Sequence, residues 1–335
     1  MLNSYTLITV FEFRISMFFY KRLLAGLILL LIAAVSLFIG VADISLASLL
    51  SGDQQTWSIT LVSRIPRLLA IVLAGAGLSV AGLIMQQVTQ NRFASPSTVG
   101  TIDCALLGYV VGLVLFSDAS QWTLLGVIFA FAVSGTMIFV KFLQRLQFKN
   151  AVLVPLIGIM FGNVVSALTT FFAYRFDLTQ SMSAWTTANF ASVLQGSYEV
   201  LYLAVPVCVL AYLYASQFSA ASIGESFARN IGLDFEKIVL IGVALVAVSS
   251  ASVVMIVGVI PFLGLIVPNI VSLFMGDNMK KILPWTAYWG VVLVLACDIL
   301  GRLVIFPYEM PVSLIISIFG GGVFIYLVLR DKANA

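Results

Sequence analysis

Apolar runs of eighteen or more residues, broken by short polar gaps, recur along this 335-residue chain. A run of that length matches the roughly 30 Å hydrocarbon core of a bilayer. The gaps are too few to make a water-facing surface: 9% of the residues are charged, against about 25% in a soluble domain. The runs lie near Leu23–Val41, Leu61–Leu83, Ser97–Phe116, Gln121–Phe142, Ala151–Tyr174, Val200–Ala215, Ile238–Val259, Phe262–Met275, Pro284–Ile305 and Val312–Leu329. In lipid a backbone must satisfy its own hydrogen bonds, and the in/out alternation of a barrel strand is absent. The sequence therefore predicts an all-α polytopic membrane protein with about ten transmembrane helices. It forms one domain over 1–335, with a cytoplasmic segment 1–22 and a cytoplasmic loop 216–237. The eighth run is short and holds Pro268, which reads as a broken or partly buried helix.

Lys and Arg set the orientation. Thirteen of the seventeen, among them Arg92, Arg229, Lys237, Lys280 and Lys281, fall in alternate gaps assigned to one side. Only Arg64, Arg67, Arg175 and Arg302 fall on the other. The bias predicts that both termini are cytoplasmic, and it accounts for the net charge of +3 without any nucleic-acid partner. The first apolar run has about 19 residues, longer than the 7–15 of a signal-peptide core, so it reads as a retained helix.

Several chemistries find no support in the letters. There is no G-x-x-x-x-G-K-[ST] phosphate loop, and Gly320-Gly321-Gly322 lies inside an apolar run, where close helix packing is the natural reading. Histidine is absent, and the three cysteines are far apart. Neither a metal site nor a catalytic cluster is expected.

Function must then reside in the polar exceptions. Arg64 and Arg67 stand on the arginine-poor side, in Ser63-Arg64-Ile65-Pro66-Arg67, and Arg302 joins them one turn after Asp298. They either reach the outer headgroups or form a basic docking point for an acidic partner. An i, i+4 Asp–Arg pair alone adds only about 0.2–0.5 kcal/mol. The segment Gly224–Leu233, with Glu225, Ala228, Arg229 and Gly232, reads as a short helix ended by Gly232, with Ser222 as a cap. Ala228 beside Phe227 and Ile231 makes either a knob for a groove on a cytoplasmic partner or a helix lying on the membrane. Asp103, just inside the third run, either lines a solute path or caps its helix. The outer loop Arg175–Ser197 holds Trp185; its content suits a re-entrant or interfacial helix at a pathway mouth, or an aromatic anchor at the headgroups.

These features together resemble the permease subunits of type II ABC importers, the family that carries ferric siderophores, haem and cobalamin. The resemblance rests on Arg64-Ile65-Pro66-Arg67, Gly82-Leu83-Ile84-Met85-Gln86-Gln87 and Asn91-Arg92-Phe93-Ala94-Ser95-Pro96. It continues through Gly224-Glu225 with Ala228 and Gly232, Pro261-Phe262-Leu263-Gly264-Leu265-Ile266-Val267-Pro268-Asn269, and Asp298 with Arg302. Within the family the chain is most similar to the iron-siderophore branch, that of petrobactin and other catecholate importers, with Asp103 in Gly-Thr-Ile-Asp part of the likeness. It departs at Asn269, where members often carry His.

The resemblance implies ten helices and a bacterial cytoplasmic-membrane location. It implies a second permease subunit, a sister chain in preference to an identical copy, two cytoplasmic ATPase subunits and an extracytoplasmic binding protein. Arg64, Arg67 and Arg302 would meet acidic residues of that protein; Gly224–Gly232 would enter the ATPase groove; Phe148-Lys149-Asn150 would lie at the cytoplasmic gate. No cofactor is expected on this chain, ATP and Mg belonging to the ATPase. The rival reading, an ion-coupled secondary transporter, needs coupling carboxylates deep in the bundle, for which Asp103 and Asp298 are the candidates.

Overall fold

The computed structural model of the protein describes residues 23–40, 47–48, 51–116, 118, 120–146 and 153–334. The described residues are helical, without strands. In chain order the helices are α1 (Leu23–Phe38), α2 (Gln54–Ile59), α3 (Ile65–Val88), α4 (Thr101–Leu115), α5 (Gln121–Leu146), α6 (Leu153–Arg175) and α7 (Thr179–Thr186). They continue as α8 (Ala204–Leu213), α9 (Ala215–Ile223), α10 (Glu225–Asn230), α11 (Phe235–Ile256), α12 (Leu263–Met275), α13 (Met279–Leu303) and α14 (Val312–Asn334). Among the described residues five apolar helices are long enough to cross a bilayer, a bent pair makes a sixth, and four are shorter. These ten correspond one to one with the ten runs of the sequence.

Two boundaries differ from the sequence reading. The second span begins at Gln54, where the Asp53 carboxylate accepts the Thr56 N–H at 3.0 Å, and reaches α3 through one π-helical turn, Thr60–Arg64. Pro66 has no N–H to give Val62, so the regular ladder fails there. The Val62 carbonyl instead accepts the Gln195 N–H at 3.0 Å. The sixth span continues beyond Ala215: a 3-10 turn Glu199–Leu203 leads into α8, and α9 follows at a 62° bend. The eighth span keeps its expected bounds and, of its two readings, is the partly buried one: α12 runs on through Pro268, its first seven residues buried.

Helix α3 is the axis of the bundle, packed by α8, α9, α11, α12 and α13. Lipid supplies no hydrophobic drive between helices, so close approach of small residues must supply the packing energy. A Cβ on Gly82 would overlap the backbone of Gly264, and one on Gly75 would lie 2.9 Å from the Gly290 carbonyl oxygen. Both glycines of the Gly82–Gly264 crossing come from the motifs quoted above. The glycine triplet of α14 divides: Gly320 packs on Phe262 and Ile266, whereas Gly321 and Gly322 have nothing within 4 Å of a Cβ position.

Gly82→Val therefore drives a side chain into backbone, with a cost of about 1–3 kcal/mol or more. The purified protein should melt at a clearly lower temperature, while Gly322→Ala should leave the melting curve unchanged. Equal melting of the two variants would contradict this crossing.

Candidate functional site

The two ends of α3, 24 residues or roughly 36 Å apart at 1.5 Å per residue, carry different chemistry. At its first turn the structure gathers Arg64, Arg67 and Arg302, as the sequence reading expected, around a carboxylate. Asp298 is 0% exposed. Its Oδ1 accepts from Arg67 Nε at 3.2 Å and Nη2 at 2.7 Å, and its Oδ2 accepts from Arg302 Nη2. Arg67 Nη1 donates to both oxygens of Glu309, at 3.1 and 2.9 Å. Arg302 Nη1 donates to the carbonyls of Ser36 and Ile39, at 2.8 and 2.7 Å. Arg64 Nη1 donates to the same Ile39 carbonyl at 2.6 Å.

This cluster corrects the sequence reading of these residues in two ways. The Asp298–Arg302 pair is not a weak solvated pair, because both side chains are buried. Arg302 is 2% exposed and both of its Nη groups donate to Asp298 and to the end of α1, so it shapes this surface from beneath and does not present itself there. Glu309 and Ser36 were missed. They are joined to the cluster across 242 and 266 residues, and no local pattern announces such a contact.

The Arg175–Ser197 loop folds back on the end of α11: the Asn189 N–H donates to the Val257 carbonyl at 3.0 Å and the Val259 N–H to the Trp185 carbonyl at 3.2 Å. The expected short helix in this loop is α7. The Trp185 ring lies 4.3 Å from that of Tyr109 and lines a cavity of about 380 Å³ with Asn189, Gly258 and Pro311. Asp103 occupies the first turn of α4, whose N-cap is Gly100. It faces α6, where a Cβ on Gly162 would lie 2.5 Å from its Oδ2. Phe148, Lys149 and Asn150 fall outside the described residues.

The Gly224–Gly232 segment lies toward the far end of α3. Its helix, α10, is capped by Gly224, at φ 138°. Ser222 is not the cap; it lies in the last turn of α9, and its hydroxyl donates to the Ser219 carbonyl. Gly232, at φ 81°, ends the segment as expected. Ala228 is 0% exposed and belongs to the main hydrophobic core. The sequence reading of Ala228 as an outward knob is thus corrected. Small size lets α10 lie flat against its own chain, and the exposed apolar residues are Phe227 and Ile231. Glu225 and Arg229 pair on the open face at 2.6 Å.

Comparison with known proteins places this architecture. The profile of the FecCD transport family matches residues 27–330. The chain belongs to the FecCD transport family. It is 46% identical to the petrobactin import system permease protein YclN of Bacillus subtilis (strain 168), over 92% of this chain and 98% of that one. It is 40% identical to the petrobactin import system permease protein FatD of Bacillus anthracis, covering 92% and 91%. Among solved structures it shares its fold with a metal-chelate type ABC transporter in an inward-facing conformation (TM-score 0.74, 22% identity, covering 91% of this chain and 97% of that one).

Asp298→Asn would leave two buried guanidinium groups facing a neutral amide, which costs ~3–5 kcal/mol when a buried pair loses one partner. Glu309→Gln, at a quarter-exposed position, should cost less than about 1 kcal/mol. Thermal melting of the two variants in detergent should rank them in that order, and the reverse order would remove the cluster from the fold's support.

Proposed function

We propose that this chain is a permease subunit of an ABC importer that carries a ferric siderophore into the cytoplasm, both termini lying on the cytoplasmic side. The observation that carries this reading is full-length similarity of 40–46% to two petrobactin permeases on a fold shared with a metal-chelate transporter. The chain makes and breaks no covalent bond. An extracytoplasmic binding protein delivers the chelate, two cytoplasmic ATPase subunits bind ATP and Mg, and a sister permease completes the passage.

The outer cluster suits the first of these partners. Three arginines against Asp298 and Glu309 leave one positive charge in excess, and such a field steers an acidic partner. Arg64 and Arg67 are each 8% exposed and Arg302 2%, so the cluster acts on such a partner through its field from just below the surface. Phe227 and Ile231 on α10 suit the ATPase, as two apolar side chains presented on a helix held to the core by Ala228. Trp185 and Asp103 are candidates for the solute path, one at its outer mouth and one between α4 and α6.

Ion coupling is less well supported. A coupling carboxylate must exchange its ion freely, and Asp298 is committed to two arginines. Alternating access is then driven by partners that prefer one state over the other.

A strain lacking this chain should lose uptake of iron-labelled petrobactin and regain it when the chain is restored, while Ile231→Glu restores the protein in the membrane but not uptake. Undiminished uptake of petrobactin and of other ferric catecholates without the chain would overturn the reading. Normal uptake by Ile231→Glu would remove α10 from the coupling step.

A further inference from the structure

Three motifs singled out in the sequence have no part in the function derived so far: Gln86-Gln87, Asn91-Arg92 with the residues that follow, and Pro268-Asn269. The fold brings all three to one place, the end of α3 opposite the arginine cluster. Asn269 Nδ2 donates to the Arg92 carbonyl at 2.8 Å and so ties α12 to the loop after α3. The Asn91 side chain accepts the Phe93 N–H at 2.8 Å and turns that loop inward. Between them lies a polar cavity of about 230 Å³ whose walls include Gln86, Gln87, Arg92, Ser222 and Asp277.

One wall group is unsatisfied. Gln86 is 7% exposed, and its Nε2 has no hydrogen-bond partner among the described residues. A buried donor left unpaired is costly, so the amide calls for an acceptor that enters the cavity. The rim selects the sign of that acceptor. Arg92 and Asp277 pair across it at 2.9 Å, both largely exposed, and an exposed pair of this kind opens readily. Arg92 is the one cation among the lining residues, and once its pair with Asp277 opens, its guanidinium is available to an incoming anion; Lys280 is turned to the Tyr212 ring at 6.0 Å. Size excludes the transported chelate: ligand pockets span about 300–1,000 Å³, and 230 Å³ suits a single side chain.

The cavity is joined to the coupling segment. Ser222 forms part of its wall and lies three residues before Glu225. Gln90 Nε2 donates to the Ala221 carbonyl at 3.3 Å, linking the end of α3 to α9. A protein seated on α10 therefore approaches the mouth of the cavity. The geometry points to a second anchoring socket: the cavity at Gln86 and Arg92 receives an Asp or Glu side chain of the cytoplasmic ATPase subunit that seats on α10. This rests on the reading of α10 as the ATPase contact, and it adds a polar, charge-selective hold beside an apolar one. A pull on α10 would then act on α3 directly.

The test uses the assembled complex, with the sister permease and ATPase subunits co-expressed. A photo-crosslinking phenylalanine derivative placed at Gln87 should capture an ATPase peptide that contains Asp or Glu. Arg92→Gln and Gln86→Leu should each weaken retention of the ATPase by about tenfold or more, as expected for loss of one charge-assisted hydrogen bond, with melting temperature unchanged for Arg92→Gln. Capture of lipid alone, capture within the chain alone, or unchanged ATPase retention in both variants would overturn the socket. Ile231→Glu separates the two readings. If it releases the ATPase while Gln86→Leu and Arg92→Gln do not, α10 remains the contact and the socket falls. If none of the three releases it, the reading of α10 itself falls.

Discussion

Close backbone contact around α3 is the constraint on which the rest of this structure depends. A helix surrounded by lipid gains little by exchanging acyl chains for leucine, so association rests on how near two helices can come. Gly75 and Gly82 let α13 and α12 reach the backbone of α3, and the helix is buried along most of its length. With the middle of the molecule fixed in this way, the ends of α3 are where polar groups meet water, and the two ends have diverged. One gathers arginines around a buried aspartate; the other gathers amides, hydroxyls and an exposed ion pair.

That division explains why so few charges suffice. Asp298 would be prohibitively costly to bury alone, and Arg302 equally so, but each neutralises the other while Arg67 extends the network to Glu309 at the surface. Because Ser36 and Ile39 supply the remaining acceptors, the cluster also pins the end of α1. The proposed outer docking surface is thus built on the same contacts that hold three helices and a loop together. A partner that redistributes charge there would be felt along α3, and the proposed inner contacts lie at its other end.

Much of this was legible in the sequence. Ten apolar runs became ten apolar helical segments, because hydrophobic length is a one-dimensional property that a bilayer enforces. The glycines of α10 fell where the turns needed them, since positive φ is also a local demand. What escaped was what depends on three dimensions. Ala228 looked like a protruding knob, because the letters do not reveal which face of a six-residue helix turns inward. Asp298 and Arg302 looked like a minor helical pair, because Arg67 lies 231 residues away. The π turn before Pro66 was invisible for a different reason: the proline frees the Val62 carbonyl, but the group that takes it up, the Gln195 N–H, is far away in the chain.

The central claim is that the two ends of α3 face opposite sides of the membrane, one receiving solute and the other receiving force. Site-directed labelling tests it most directly, in a background from which Cys104, Cys208 and Cys297 have been removed. A membrane-impermeant maleimide should label Leu194→Cys in intact spheroplasts and leave Ile231→Cys unreacted, and inside-out vesicles should reverse the pattern. Labelling of both positions from the same side, or of Ile231→Cys from outside, would contradict the account.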